Sequence, residues 1–98
     1  MNKLEASYSL QLEARKRLGE ILWWRYEAVK LRLAPKTFLT PDFMVMLANG
    51  EIEIHETKGW MQDDAAVKLK VAADQYPFRF ILVRYRNNAE GWSFEEVG

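Results

Sequence analysis

Ninety-eight residues form one domain rather than two. The chain has no cysteine, which excludes disulfides and thiolate metal centres, and no apolar run approaches the ~18 residues of a membrane-spanning helix. Fourteen basic and 14 acidic side chains cancel to a formal charge of zero. The balance excludes a strongly basic nucleic-acid binder by charge alone, but not an acidic metal site that offsets a basic binding face.

The amino terminus mixes acids and bases and lacks the apolar stretch of a signal peptide, so a cytoplasmic protein is expected. Residues 3–20 have a helical pattern, with Leu4, Tyr8, Leu10, Ala14, Leu18, Ile21 and Leu22 in one broad arc. Glu13 and Glu20 lie at its margin, and Gly19 loosens or ends the helix. From Tyr26 the pattern alternates up to Pro35, predicting a strand. The segment TFLTPDFMVML predicts a second strand, apolar on both faces after Asp42. Asn49-Gly50 is a hairpin turn signal, and EIEIHETKGW predicts a third strand. A helix is expected over Asp63–Tyr76, ended by Pro77. PFRFILVRY then predicts a strand, Asn87–Gly91 a turn and WSFEEV a short edge strand. The order is helix, three-stranded meander, helix, strand, strand.

The third strand carries an anomaly. Ile52 and Ile54 share one face, and the period of two continues that face to Glu56 and Lys58. A carboxylate and an ammonium stand where two core residues are due, a conflict expected mainly at functional sites. A hairpin centred on Asn49-Gly50 brings Asp42 across from roughly residue 57, next to both. Two acids there repel unless a cation neutralises them. Hard oxygen ligands suit Mg²⁺ or Mn²⁺, and a nearby lysine orients water and balances charge on a phosphate. The chemistry such a cluster suits is phosphodiester hydrolysis. The competing reading is a Glu56–Lys58 ion pair at a strand end, with Pro41-Asp42 a simple turn.

Pro41-Asp42, thirteen residues, then Glu56-Thr57-Lys58 resembles the PD-(D/E)xK motif of restriction-endonuclease-like nucleases. The wording TPDF, IHETKGW, DDAAVKLKVAA and YPFRF is similar to small phage-type members, over about Leu10 to Phe80. The resemblance implies an α/β (α+β) fold with an αβββαβ core, a mixed central sheet flanked by helices, and Mg²⁺- or Mn²⁺-dependent cleavage of DNA. It implies Asp42, Glu56 and the Thr57 backbone carbonyl as metal ligands and Lys58 as the catalytic lysine. An acid on the first helix often completes such sites, and the stretch from Ser9 to Arg15 makes Glu13 that acid. The domain has no room for a separate specificity module. Structure-directed cutting of branched, flapped or nicked DNA, in the manner of a Holliday-junction resolvase and by a homodimer, is therefore expected. The alternatives are an inactive DNA-binding module and an interaction protein that retains the fold.

Lys68 and Lys70 are explained by solvated pairs with Asp64 and Asp74, or one of them, Lys68 before Lys70, lies over the scissile phosphate. Arg15 and Arg17 are candidates for backbone phosphates, against the ordinary reading of a solvated face. Trp60, after Gly59 at the rim of the cluster, is a candidate for stacking on or wedging into DNA. His55, the only histidine, falls on the face opposite Glu56 and reads as structural or superficial.

Overall fold

The computed structural model describes residues 1–58 and 63–98, with Asp63 described by its backbone alone. Helix α1 spans Lys3–Arg17. Its start is fixed by a reciprocal cap: Glu5 N–H donates to Asn2 Oδ1 at 2.8 Å, and Asn2 N–H donates to Glu5 Oε1 at 2.7 Å. Arg15, Lys16 and Arg17 oppose the negative end of the helix dipole, and Gly19 turns the chain away with φ +80°. The buried residues are Glu5, Tyr8 and Leu12, while Leu10 and Leu18 are 72% and 75% exposed. The inward stripe is thus rotated by about a quarter turn from the arc that the leucines suggest.

The strands are β1 (Ile21–Tyr26), β2 (Leu31–Ala34), β3 (Thr37–Leu39), β4 (Phe43–Leu47), β5 (Ile52–Thr57), β6 (Arg79–Asn87) and β7 (Gly91–Val97), with α2 (Asp63–Gln75) between β5 and β6. Five of them form one mixed sheet in the order β1-β4-β5-β6-β7, in which only the β5–β6 pair is parallel. A crossover through a helix is what a parallel neighbour requires. The first predicted strand, from Tyr26 to Pro35, forms only over β2, with β1 ahead of it where no strand was expected, and the second is divided into β3 and β4. Glu27, at φ 47°, ends β1, and Pro41 separates β3 from β4. The excursion between them is the separate β2–β3 hairpin. It is held to α2 by Gln75 Nε2, which donates to the Leu33 carbonyl at 3.1 Å, and by Tyr76 Oη, which donates to the Arg32 carbonyl at 2.7 Å.

Each helix covers one face of the sheet. Tyr8 and Leu12 of α1 pack with Ile21, Phe43, Val45, Ile81 and Val83. Leu69 and Ala72 of α2 pack with Ile54, Phe80, Leu31 and Leu33. No helix among the described residues is long and apolar enough to cross a membrane.

The loop between β4 and β5 is Ala48–Gly50, one residue longer than a two-residue Asn-Gly turn, with Gly50 at φ +89°. Its length sets the register. Phe43 pairs with His55, so the next position brings Asp42 opposite Glu56 rather than residue 57. A slip of one residue would have moved Asp42 to the other face.

His55 is buried between the sheet and α1. Its Nε2 lies 2.9 Å from Glu53 Oε1, which can only accept, so Nε2 carries a proton, and Nδ1 shares a 2.6 Å hydrogen bond with Tyr8 Oη. Burial pushes the Tyr8 hydroxyl up, and the His55 hydrogen bond holds Glu53 below the usual carboxylate range. Arg79 closes the chain with a 3.0 Å contact to Glu53 Oε2. Tyr8→Phe is expected to leave His55 Nδ1 without its partner and cost about 1–2 kcal/mol in a urea melt. An unchanged midpoint would show that this bond holds nothing.

Candidate functional site

Asp42 and Glu56 are both nearly inaccessible, at 6% and 5% exposed. They are bound to each other's backbone neighbourhood. Asp42 N–H donates to Glu56 Oε1 at 2.6 Å, and the Thr57 amide and hydroxyl each donate to Asp42 Oδ2 at 2.9 Å. The Asp42 carbonyl accepts from Glu27 N–H at 2.8 Å, and Lys58 N–H extends the parallel ladder to the Val83 carbonyl at 3.1 Å. Both carboxylates are therefore fixed by backbone on two strands, which is a rigid support for a site.

The electrostatics follow from this crowding. Burial raises Glu56, the Asp42 charge raises it further, and the Asp42 amide and Lys58 only partly offset them, so it is pushed up to about 7. Asp42 is also raised, first by burial, against the Thr57 hydrogen bonds and Lys58. Lys58 thus favours the charged form of both acids.

A third carboxyl joins from α1. Glu5 is buried, and burial works to raise it, but the Asn2 amide, the Tyr26 hydroxyl at 3.1 Å and the adjoining Asp42 carboxyl hold it below its usual range. Tyr26 is in turn pushed up to about 12, by desolvation and then by Glu5. Glu5 was missed in the sequence. The signal was present, because Asn2-Lys3-Leu4-Glu5 is a capping box that puts Glu5 in the first helical turn.

Glu13, the acid chosen from the sequence, is placed elsewhere. Its Oε1 accepts from Trp24 Nε1 at 2.7 Å, and it stands two turns along α1 from Glu5. Thr57 enters through its amide and hydroxyl, which orient Asp42. Arg15 pairs with Glu20 at 3.1 Å and lines a cleft with Glu53, His55 and Arg79 on the α1 side. It lies ten residues from Glu5, roughly 15 Å along the helix, so it is not part of the acidic cluster. Arg17 is exposed at the same end of α1, Lys68 is half-buried on α2, and Trp60 falls outside the described residues.

The donor set can be tested against a divalent cation. Among the described residues no three or more His, Asp or Glu side chains are grouped so that they could hold a metal ion. Asp42 Oδ1 and Glu56 Oε2 nevertheless take no hydrogen bond from a described residue. Two carboxylate oxygens with otherwise water-filled coordination are what Mg²⁺ accepts, since it dehydrates reluctantly. Burial first, and then a neighbouring acid, raises both carboxyls, and a bound cation would oppose that shift. Hard-cation chemistry fits, and soft or cage-demanding metals do not. Comparison of the chain with protein-family models, with curated proteins and with solved structures returns no match.

Proposed function

We propose that this protein is a Mg²⁺- or Mn²⁺-dependent nuclease of the PD-(D/E)xK kind that hydrolyses DNA phosphodiester bonds. The observation that carries the reading is the one-residue register match of the β4–β5 hairpin. It joins Asp42 to Glu56, fourteen residues further along the chain, as a buried pair with the half-buried Lys58 close by. A structural ion pair between Glu56 and Lys58 accounts less well for the cluster. It gives no reason to bury Asp42 against Glu56, where the Asp42 charge raises Glu56.

In this reading Asp42 and Glu56 hold the cation, which supplies Lewis-acid charge neutralisation and lowers the pKa of water when bound. Thr57 keeps Asp42 in the orientation that leaves Oδ1 outward. Lys58 favours the ionised form of both acids, and its ammonium is the group that would orient an attacking water or balance charge on a phosphate oxygen. Glu5 adds negative charge and a hydrogen-bonded link through Tyr26 to the start of the sheet. The restriction-endonuclease-like αβββαβ core is supported by the order of the main-sheet elements, with the β2–β3 hairpin as an addition. A small domain without a recognition module suits branched, flapped or nicked DNA, and a homodimer supplies one site per strand. Sedimentation of the free and DNA-bound protein reads the dimer directly.

The test is cleavage of branched, flapped, nicked and linear DNA with Mg²⁺, Mn²⁺ or EDTA. Cutting that requires the metal is expected, and an absence of cutting on every substrate with either metal would sink the reading. Glu5 and Glu13 give a sharper contrast in the same assay. Glu5→Gln is expected to slow cleavage about 10–100-fold, whereas Glu13→Gln leaves the rate within about twofold. Equal effects would return the helix acid to Glu13.

A further inference from the structure

The β2–β3 hairpin stands apart from the main sheet, and its charge is one-sided. The 14 residues from Ala28 to Pro41 hold three bases, Lys30, Arg32 and Lys36, and no acid. An even spread of the 14 acids over the 98 residues would place two of them there. Alternation sorts the hairpin into two faces. Leu31 and Leu33 are buried in one cluster with Leu69 and Ala72 of α2, whereas Lys30, Arg32, Lys36 and Phe38 are exposed. The hydrogen bonds from α2 end on the Leu33 and Arg32 carbonyls, so the anchoring uses none of the three basic side chains.

The outward face is ordered for charge. Phe38 is the ladder partner of Arg32, and Lys30 Nζ stands 4.5 Å from the centre of the Phe38 ring, which favours one place for a flexible ammonium. Lys36 sits in the Pro35-Lys36 turn at φ 59°, a position that ordinarily takes glycine or asparagine. None of the three cations forms a salt bridge among the described residues. Lysines on an edge also guard against strand pairing, but that role requires no exclusion of acids. The root of the hairpin lies at the acidic cluster, where Glu27 N–H donates to the Asp42 carbonyl. Leu31 pairs with Leu39, so one step back Lys30 stands level with Thr40, two residues before Asp42. The line of cations thus begins on the order of 10 Å from Asp42 and runs out to the tip.

We propose that the outer face of the β2–β3 hairpin is a DNA-binding arm, on which Lys30, Arg32 and Lys36 hold backbone phosphates that flank the one that is cut. The arm deepens the nuclease reading and rests on it for the choice of DNA as the polyanion. Contacts of this kind position a duplex and read no sequence, which suits structure-directed cutting by a domain without a recognition module.

The test follows binding of nicked duplex DNA in EDTA over a salt series, and cleavage of the same DNA with Mg²⁺. Wild type is compared with Lys30→Ala, Arg32→Ala, Lys36→Ala and the triple variant. Each single substitution is expected to lower the slope of log K against log salt by about 0.9. Arg32→Lys, which keeps the charge, is expected to leave the slope unchanged. The triple variant is expected to bind roughly tenfold or more weakly, yet to cut at the wild-type rate once protein saturates the DNA. An unchanged slope in the triple variant overturns the arm whether or not the protein cuts. Failure of the wild type to bind DNA in EDTA overturns it too, as does binding of phosphatidylserine vesicles through these residues in place of DNA. A slope lost in the triple variant of a protein that never cuts upholds the arm and sinks the nuclease reading. The three side chains are exposed, so the variants should keep the fold, and wild-type urea midpoints check that they do.

Discussion

Lys58→Ala is expected to reduce metal-dependent DNA cleavage on the order of 10²–10³-fold while leaving the protein folded. Three features of the site set the size of the loss. Lys58 is the cation that lowers both Asp42 and Glu56, so its removal raises two acids that must be ionised to hold a metal. Its backbone is also held in the ladder two residues from Glu56, and in the proposed reaction losing a charge aimed at a developing oxyanion costs about that factor. Finally, the side chain is half-buried rather than buried, so truncation opens no core cavity. Single-turnover cleavage at saturating Mg²⁺ measures the effect. The pH profile of the residual activity should move to higher pH, because the acids become harder to ionise without Lys58. A mutant that cuts at the wild-type rate would remove Lys58 from the chemistry.

The stability of the metal-free protein should fall as pH rises from about 4.5 to about 8. Glu56 is pushed from its ordinary 4.5 up to about 7 in the folded state. Below pH 4.5 it is protonated both folded and unfolded. Between the two values the unfolded chain is ionised and the folded chain keeps its proton, so each step upward in pH favours unfolding. Above about 7 the loss levels off at about 3 kcal/mol. Asp42, also raised, adds in the same direction, whereas Glu5 and Glu53, held low, lose their contributions only as pH falls in the acid range. Urea midpoints between pH 5 and 8 read the slope, and Glu56→Gln should flatten most of it. Mg²⁺ should restore stability far more at pH 8 than at pH 5, since it takes the place of the lost proton. Parallel slopes for wild type and Glu56→Gln would mean that the crowding of the acids is relieved some other way.

Much of this was readable in advance because it depends on local signals. The Asn49-Gly50 turn, the alternation through Ile52 and Ile54, and the Pro77 stop place the hairpin, the face of Glu56 and the end of α2 without tertiary information. The mixed sheet with a helix on each face follows from the element order. What could not be read depends on tertiary context. The one-residue difference in the β4–β5 loop decides whether Glu56 or Thr57 stands directly opposite Asp42 in the register, and turn propensity alone does not separate two-residue from three-residue loops. The break at Glu27, an ordinary residue at positive φ, carries no compositional mark, and so the β2–β3 hairpin was merged into its neighbours. The face of α1 was misjudged because Leu10 and Leu18 are exposed, while the inward stripe contains a glutamate and a tyrosine chosen for their hydrogen bonds. Glu13 was preferred to Glu5 on the resemblance of the stretch from Ser9 to Arg15, although it lay only at the margin of the arc.

The two helices lie on opposite sides of one sheet and share no core, which gives them independent lifetimes. Helix α1 is held by few inward side chains, chiefly Tyr8 and Leu12 with the Glu5 and His55 contacts. It can therefore lift away as a unit at less cost than global unfolding, while β4, β5 and β6 stay paired. Amide exchange in α1 would then be faster than in β5 and less sensitive to denaturant. Each such opening would take Glu5 out of the cluster and leave Asp42, Glu56 and Lys58 in register, so the third acid comes and goes on a clock set by helix docking.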